Sequence, residues 1–235
     1  MNKCIPILMY HSIGDNSKSS VKIKSFTEQI SLMKKLGYKS INLCELGQYK
    51  DYNKKIFVIT FDDGYKDVFT NAYPILRAFN FKATCFFVFN KIGKFNEWDI
   101  DYKKFEKKKI MTEDDLKKWD KNGFEVGSHS LDHQNLIKID DKEKTIQIVK
   151  SKDFFKRKYN INIKSFSYPF GLYNESVVKI VKKNFDYAVT TKRSRYKENL
   201  HENILIPRIP INPKTSMLKF MLKILTPYED IKFKL

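Results

Sequence analysis

Two segments concentrate residue types suited to hydrolytic chemistry. Thr60-Phe61-Asp62-Asp63-Gly64 sets two carboxylates side by side, and His129-Ser130-Leu131-Asp132-His133 sets two imidazoles four residues apart. The chain holds four histidines in all, so half of them fall in one pentapeptide. On a helical turn, positions i and i+4 share a face, and both rings could address one ion. Successive strand residues point opposite ways, so Asp62 and Asp63 should divide their roles, one toward a metal and the other as a base. Taken alone, 62–64 would serve equally well as a turn that uses Asp and Gly for backbone geometry. One carboxylate and two histidines together make a three-ligand site with an open position, the catalytic pattern of zinc. Non-haem iron sites use the same ligand types, and the ligand set by itself leaves both open.

The elements around these residues put them in one place. His11 follows an apolar run at 4–10, Asp62-Asp63 follow the β-branched and aromatic run 56–61, His129 follows 124–127, and Pro169-Phe170-Gly171 follow 164–168. Each run reads as a strand, and further strands are predicted at 38–43, 83–89, 187–190 and 204–209. Between them lie helical patterns. Ser25 with Glu28 forms a capping box ahead of Phe26, Ile30, Met33 and Leu36, closed by Gly37. Other helices are predicted at 67–79, from Thr112 through Leu116 and Trp119 to Gly123, at 140–158, from Asn174 through Val177, Ile180 and Val181, and at 215–225. This alternation predicts an α/β fold of parallel strands with crossover helices, a barrel or an open doubly wound sheet. In a β/α barrel the carboxyl ends of the strands host the active site. That is where His11, Asp62, Asp63, His129 and Pro169-Phe170 would converge.

Composition sets the outer limits. With 235 residues, 42% of them hydrophobic, the chain suits one large domain and excludes a disordered protein. No linker or internal repeat divides it. The net charge of +18, from 45 basic against 27 acidic residues, would attract nucleic acid, anionic lipid or anionic glycan. The lysines are spread along the chain, as expected for a solvated surface, and the one dense run, 103–109, is broken by Phe105 and Glu106. Residues 90–110, rich in lysine, read as a surface insertion. Nothing resembles a zinc knuckle, an RNA-binding aromatic motif or a recognition helix, so nucleic acid is not expected as a partner. The odd, scattered set Cys4, Cys44 and Cys85 suggests free thiols in a reducing compartment. No run reaches the length of a membrane span, and the start of the chain lacks the features of a signal peptide. A cytoplasmic location is therefore expected. At 214–235, Met217, Leu218, Met221, Leu222 and Leu225 could form an apolar face flanked by Lys214, Lys219 and Lys223, suited to an anionic membrane surface.

Thr60–Gly64, His129–His133 and the stretch 165–171, in this order and spacing, resemble the motifs of the NodB-type polysaccharide deacetylases, carbohydrate esterase family four. The stretch Gly123-Phe124-Glu125-Val126-Gly127-Ser128-His129-Ser130 is particularly similar, and the resemblance runs from about residue 5 to 210. It implies a single-domain distorted (β/α) barrel and a divalent metal, Zn²⁺ or alternatively Co²⁺ or Ni²⁺. It also implies Asp62 as general base, with Asp63, His129 and His133 as metal ligands. The Tyr65 N–H would hold the oxyanion, and Pro169 with Phe170 would wall the substrate groove. Two departures stand out. Ser167 occupies the place of an Arg that normally buttresses the base, and Arg208 is the candidate replacement. The family's late catalytic His has no counterpart beyond His201, which reads as a solvated loop residue. Met9-Tyr10-His11-Ser12-Ile13 is similar to the start of the poly-N-acetylglucosamine deacetylase branch, which carries an early His. His11 is thus the expected general acid.

The resemblance implies hydrolysis of an N-acetyl group on a sugar within a polysaccharide, an oligosaccharide or a lipid-linked glycan. A catalytically inactive glycan-binding barrel and a basic nucleic-acid binder are the alternatives. Retention of Asp62, Asp63, His129, His133 and His11 together favours the enzyme. The sugar and the oligomeric state are not set by the sequence.

Overall fold

A computed structural model describes residues 4–49, 55–100 and 106–233. Among the described residues, apolar runs rich in β-branched and aromatic residues form ten strands: β1 (Cys4–Ile5), β2 (Ile7–Tyr10), β3 (Lys39–Ile41), β4 (Ile56–Phe61), β5 (Thr84–Phe87), β6 (Glu125–Ser128), β7 (Ser165–Ser167), β8 (Tyr187–Val189), β9 (Tyr196–Lys197) and β10 (Ile209–Pro210). Eight α-helices accompany them among the described residues: α1 (Ile23–Lys35), α2 (Tyr73–Ala78), α3 (Glu113–Lys121), α4 (Asp141–Thr145), α5 (Ser151–Tyr159), α6 (Glu175–Asn184), α7 (Met217–Leu225) and α8 (Tyr228–Lys232).

Parallel pairing runs β10-β2-β4-β5-β6-β7-β8. Val58 pairs with Ile7 on one edge of β4 and Ile41 on the other, so β3 shares with β5 the edge opposite β2. The sheet curls until its ends approach. Ile206 bridges Val189 of β8, and Ile209 pairs with Leu8 of β2, so residues 206–210 span the seam. The strand expected at 204–209 is reduced to these two touches, because a short segment must serve both edges of the seam. The strand expected at 4–10 is divided at Pro6. Beyond that break, β1 pairs antiparallel with β9 instead of joining the main sheet.

The helices begin largely where side chains can take the first free N–H groups. Thr112 accepts from Asp115 at the start of α3, and Asn174 from Val177 at the start of α6. The cap expected at Ser25 is incorrect. α1 starts at Ile23, whose N–H donates to the Asp15 carboxylate at 3.1 Å, so a remote acid replaces the local box. The helix expected at 67–79 opens with a wide π-turn at Val68–Ala72. The one at 140–158 carries another at Ile146–Lys150, between α4 and α5. Such insertions re-aim side chains and are frequent at functional sites.

Aromatic side chains fill the space between sheet and helices. Phe57, Phe61, Phe87, Phe166 and Trp119 are fully buried. Of the predicted apolar face near the C-terminus, Leu218, Leu222 and Leu225 remain exposed, at 65%, 40% and 46%, while Phe220 and Ile224 are the residues of α7 packed inward. Lys223, expected beside that face, is buried and paired with Glu229 at 2.6 Å. Among the described residues, Cys4, Cys44 and Cys85 form no disulfide. Among the described residues no helix is long and apolar enough to cross a membrane.

Candidate active site

β4 ends at Phe61, and the next two residues turn into the mouth of the curled sheet. Asp63 has φ 73° and Gly64 φ 70°. A Cβ on Gly64 would lie 2.7 Å from the Phe87 ring, so this turn requires glycine on both conformational and steric grounds. The turn separates the two carboxylates, which are 3% and 5% exposed and face different partners.

Asp63 faces the histidines. Its Oδ1 lies 3.6 Å from His129 Nε2 and 3.5 Å from His133 Nε2, and the ligand atoms of the three all lie within 4.8 Å of one another. Two atoms bonded to one tetrahedral Zn²⁺ at about 2.0–2.1 Å stand about 3.4 Å apart, so these separations fit a shared ion. His129 Nδ1 meets the Ser167 carbonyl at 2.7 Å. A carbonyl only accepts, so the proton sits on Nδ1 and the Nε2 lone pair is left for a metal. Burial lowers His129 to about 4 and also depresses His133, which keeps both rings neutral, as ligands must be.

The helical turn expected to carry the two histidines is absent. Residues 129–133 form a bend with Ser130 and His133 at φ 65° and 59°, closed where the His133 N–H donates to Ser130 Oγ. Gln147, delivered by the π-turn before α5, exchanges hydrogen bonds with the Asp132 N–H and carboxylate and holds the bend from outside. Asp63, Ser130, His133 and Phe170 (φ 59°) are four of the six non-glycine residues at positive φ among the described residues. Such concentration of strained backbone is a mark of functional sites.

Asp62 faces Arg208. The guanidinium donates from both terminal nitrogens to the two carboxylate oxygens, each at 2.7 Å. It is itself fully buried and further anchored by the Thr190 carbonyl, Thr60 Oγ1 and Ser167 Oγ. Burial pushes the Asp62 carboxyl up. The Arg208 charge and hydrogen bonds, helped by His129 and His11, outweigh that and hold it well below the usual carboxylate range. Ser167 leaves room for this guanidinium to enter from the seam at 206–210.

His11 stands at the mouth, with 48% of its side chain exposed and Nε2 4.0 Å from Asp62 Oδ2. Crowding by the pocket lowers its pKa; Asp62 opposes that, and Arg208 and Lys108 add to it. The cavity, of about 370 Å³, is lined by His11, both aspartates, both histidines and Tyr65. Phe170 contributes to the wall with Gly171, whereas Pro169, expected there, is buried and absent from the lining. The loop-forming φ at Phe170 turns the wall one residue past the proline. His201 lies outside the cavity, its Nδ1 accepting from the Lys197 N–H at 2.9 Å.

Among the lining residues that escaped the sequence reading are Asn96, Trp98 and Lys108. The surface insertion expected at 90–110 is in part a wall of the site. Its middle, 101–105, lies outside the described residues. Gly93 and Met111 bond across the base of this arm, and Ile110 bridges Tyr65. Asn96 ties its two limbs, and Trp98 stacks on His133 with ring centres 4.8 Å apart. Trp98 is one of two tryptophans in the chain, the only local signal that this lysine-rich stretch is more than surface.

The chain was compared with known proteins. Residues 49–188 match the family model described as polysaccharide deacetylase. A putative polysaccharide deacetylase, YxkH, of Bacillus subtilis is 32% identical over 80% of this chain, and the match spans 64% of that relative's length. The poly-beta-1,6-N-acetyl-D-glucosamine N-deacetylase of Staphylococcus epidermidis is 29% identical over 82% of this chain and 68% of its own. Among solved structures, the Streptococcus pyogenes deacetylase PplD superposes with a TM-score of 0.81 at 25% identity, covering 95% of this chain and 99% of that one. The family match over more than half of the chain and the close superposition of the curled parallel sheet lead to one conclusion: the chain belongs to the polysaccharide deacetylase family.

Proposed function

We propose that the protein hydrolyses the N-acetyl group of an N-acetylated sugar in a polysaccharide, oligosaccharide or lipid-linked glycan, with Asp63, His129 and His133 holding Zn²⁺ or, alternatively, Co²⁺ or Ni²⁺. The observation that carries this reading is the pairing of a three-ligand cluster with a separate, Arg208-held carboxylate in one cavity. The relatives support it: the Staphylococcus epidermidis protein is named for removal of acetyl groups from poly-N-acetylglucosamine, and PplD was solved in complex with acetate.

A divalent ion in such a site supplies Lewis acidity toward the carbonyl oxygen and lowers the pKa of a nearby water. Asp62, ionised because Arg208 holds it so, accepts a proton from the water as the water oxygen bonds to the acetamide carbon. The Tyr65 N–H donates to the oxygen that gains charge. His11, protonated, donates to the nitrogen as the carbon–nitrogen bond breaks, since an amide anion is too poor a leaving group. Acetate and a sugar amine result. Trp98 stacks on His133 and Phe170 meets it edge to face, and both rings shield the reacting centre from bulk water.

The test is acetate release from N-acetylglucosamine oligosaccharides, followed together with metal content. Near-stoichiometric divalent metal and loss of activity on chelation are expected. Undiminished acetate release from metal-free protein would overturn the metal role, and no release from metal-loaded protein would overturn the activity.

A further inference from the structure

A second cavity, of about 500 Å³, opens beside the catalytic one, between the loop after β2 and the π-turn that follows β4. Lys108 lines both, so the two cavities meet at its side chain. Among the described residues, Ile23 is the only apolar side chain in its lining, which suits a hydrated polar ligand and not a lipid chain or an aromatic group. Three lysines border it: Lys66, Lys108 and Lys109.

The two lining carboxylates are hydrogen-bonded within the surrounding loops and keep their charge, and Asp67 shares the Ser12 hydroxyl with Lys108. Asp15 accepts from the Ile23 N–H, and Asp67 accepts from Ser12 Oγ and the Ile13 N–H. Lys108 Nζ donates to Ser12 Oγ and Ser20 Oγ, each at 2.8 Å, and its carboxylate contact, Glu106, is at 3.8 Å. Hydroxyls orient an ammonium without cancelling its charge, and an ammonium carries three donors. Lys66 is paired with Asp115 at 2.6 Å, and Lys109 is exposed. A ligand spanning both cavities therefore meets the Lys108 ammonium beside the reacting unit and the exposed Lys109 at the rim, with Asp67 and Glu106 as neighbouring carboxylates of Lys108.

We infer that this second cavity is a subsite for an anionic group, a phosphate or a carboxylate, on the saccharide unit adjoining the one that is deacetylated, with Lys108 at the junction. The inference rests on the deacetylase reading for the identity of the reacting unit. It fits the excess of basic residues in the whole chain, and it carries a corollary. Deacetylation creates an ammonium group, so a neighbouring unit that has already lost its acetyl group is repelled by the same lysines.

The experiment compares three saccharides of equal length: a neutral N-acetylglucosamine oligosaccharide, one whose neighbouring unit carries a phosphate, and one whose neighbour is a uronic acid. Binding is read by calorimetry on metal-loaded Asp62→Asn protein. At low salt an anionic saccharide should bind about tenfold more tightly than the neutral one, and the advantage should shrink as salt rises past about 0.5 M. The tighter of the two anionic arms identifies the source of the charge. Lys108→Gln should abolish the anionic-to-neutral ratio, and Lys109→Gln, on the exposed rim, should reduce it and keep the test open if the first variant misfolds. Equal binding of all three saccharides by the Lys-intact protein overturns the inference, as does a ratio unchanged in both lysine variants. Acetate release by the unsubstituted protein is measured separately. Its absence from all three saccharides would sink the deacetylase reading while the binding ratio still decides the subsite.

Discussion

Replacing Arg208 by methionine removes a buried, bidentate partner from Asp62 while keeping an unbranched side chain of similar reach. Four groups lose a donor at once: the Asp62 carboxylate, the Thr190 carbonyl, Thr60 Oγ1 and Ser167 Oγ. Breaking a fully buried pair from one side costs about 3–5 kcal/mol, because the remaining charge is left desolvated. For a domain of this size that is a fall in Tm of roughly 6–20 °C. The sign with pH is specific. With Arg208 present, the folded-state pKa of Asp62 lies below its unfolded value, so its contribution to stability is present above the unfolded pKa and lost as pH falls through the folded one. Without Arg208, burial, the largest influence on this carboxyl, is opposed only by the weaker pull of His129 and His11 and raises the pKa. Asp62 then opposes folding as pH rises, and the Tm deficit is largest near neutrality and smallest in acid. The same shift leaves the base protonated over more of the pH range, so the acid limb of kcat/KM moves upward and the rate near neutrality drops by roughly 10²–10⁴-fold. Acetate release as a function of pH, thermal melting at several pH values and metal content test this together. A variant with the original pH–rate profile and an unchanged Tm would refute the assignment of Arg208 as the group that keeps Asp62 ionised.

Three further predictions follow from the same geometry. Asp62→Asn should retain metal and lose turnover, whereas Asp63→Asn should lose metal affinity; equal metal content with original rates in both would contradict the division of roles. His11→Ala should lower kcat by roughly 10²–10⁴-fold with metal and Tm nearly unchanged. Because the pKa of His11 lies below its ordinary 6.5, the alkaline limb it imposes should begin below that value and flatten in the variant; a catalytic defect in His201→Ala instead would show that the acid is elsewhere. The exposed stripe Leu218, Leu222 and Leu225 should hold the protein on anionic vesicles. Co-sedimentation should then fall in a Leu218→Glu/Leu222→Glu variant, and unchanged co-sedimentation would exclude α7 as an anchor.

Much of the site was legible in the chain because hydrolysis needs particular residue types and a β/α fold puts strand ends together. Asp62, Asp63, His129 and His11 each follow a short apolar run, and parallel strands with crossover helices oblige all such ends to face one mouth. Asn174 and Thr112 start helices as their side chains dictate, since a cap is a contact over three residues. Where a local contact competes with a remote one, local reading fails: Asp15 displaced Ser25 as the group that starts α1.

What only tertiary structure decided are contacts between residues far apart in sequence. Arg208 reaches Asp62 across 146 positions because the seam segment lies beside β4's neighbour, β2. No periodicity encodes that. Trp98 and Lys108 belong to a segment that reads as lysine-rich surface, yet backbone bonds from Met111 to Gly64 and Gly93 to Met111 fold it against the cavity that holds Asp63, His129 and His133. The bend at 129–133 depends on Ser130 and on Gln147, which a π-turn aims from another helix. Residue identity sets which groups can ligate, donate or ionise. Their distance and burial set which of them do, because both the strength of a charge pair and the cost of leaving it unpaired are determined by the surrounding fold.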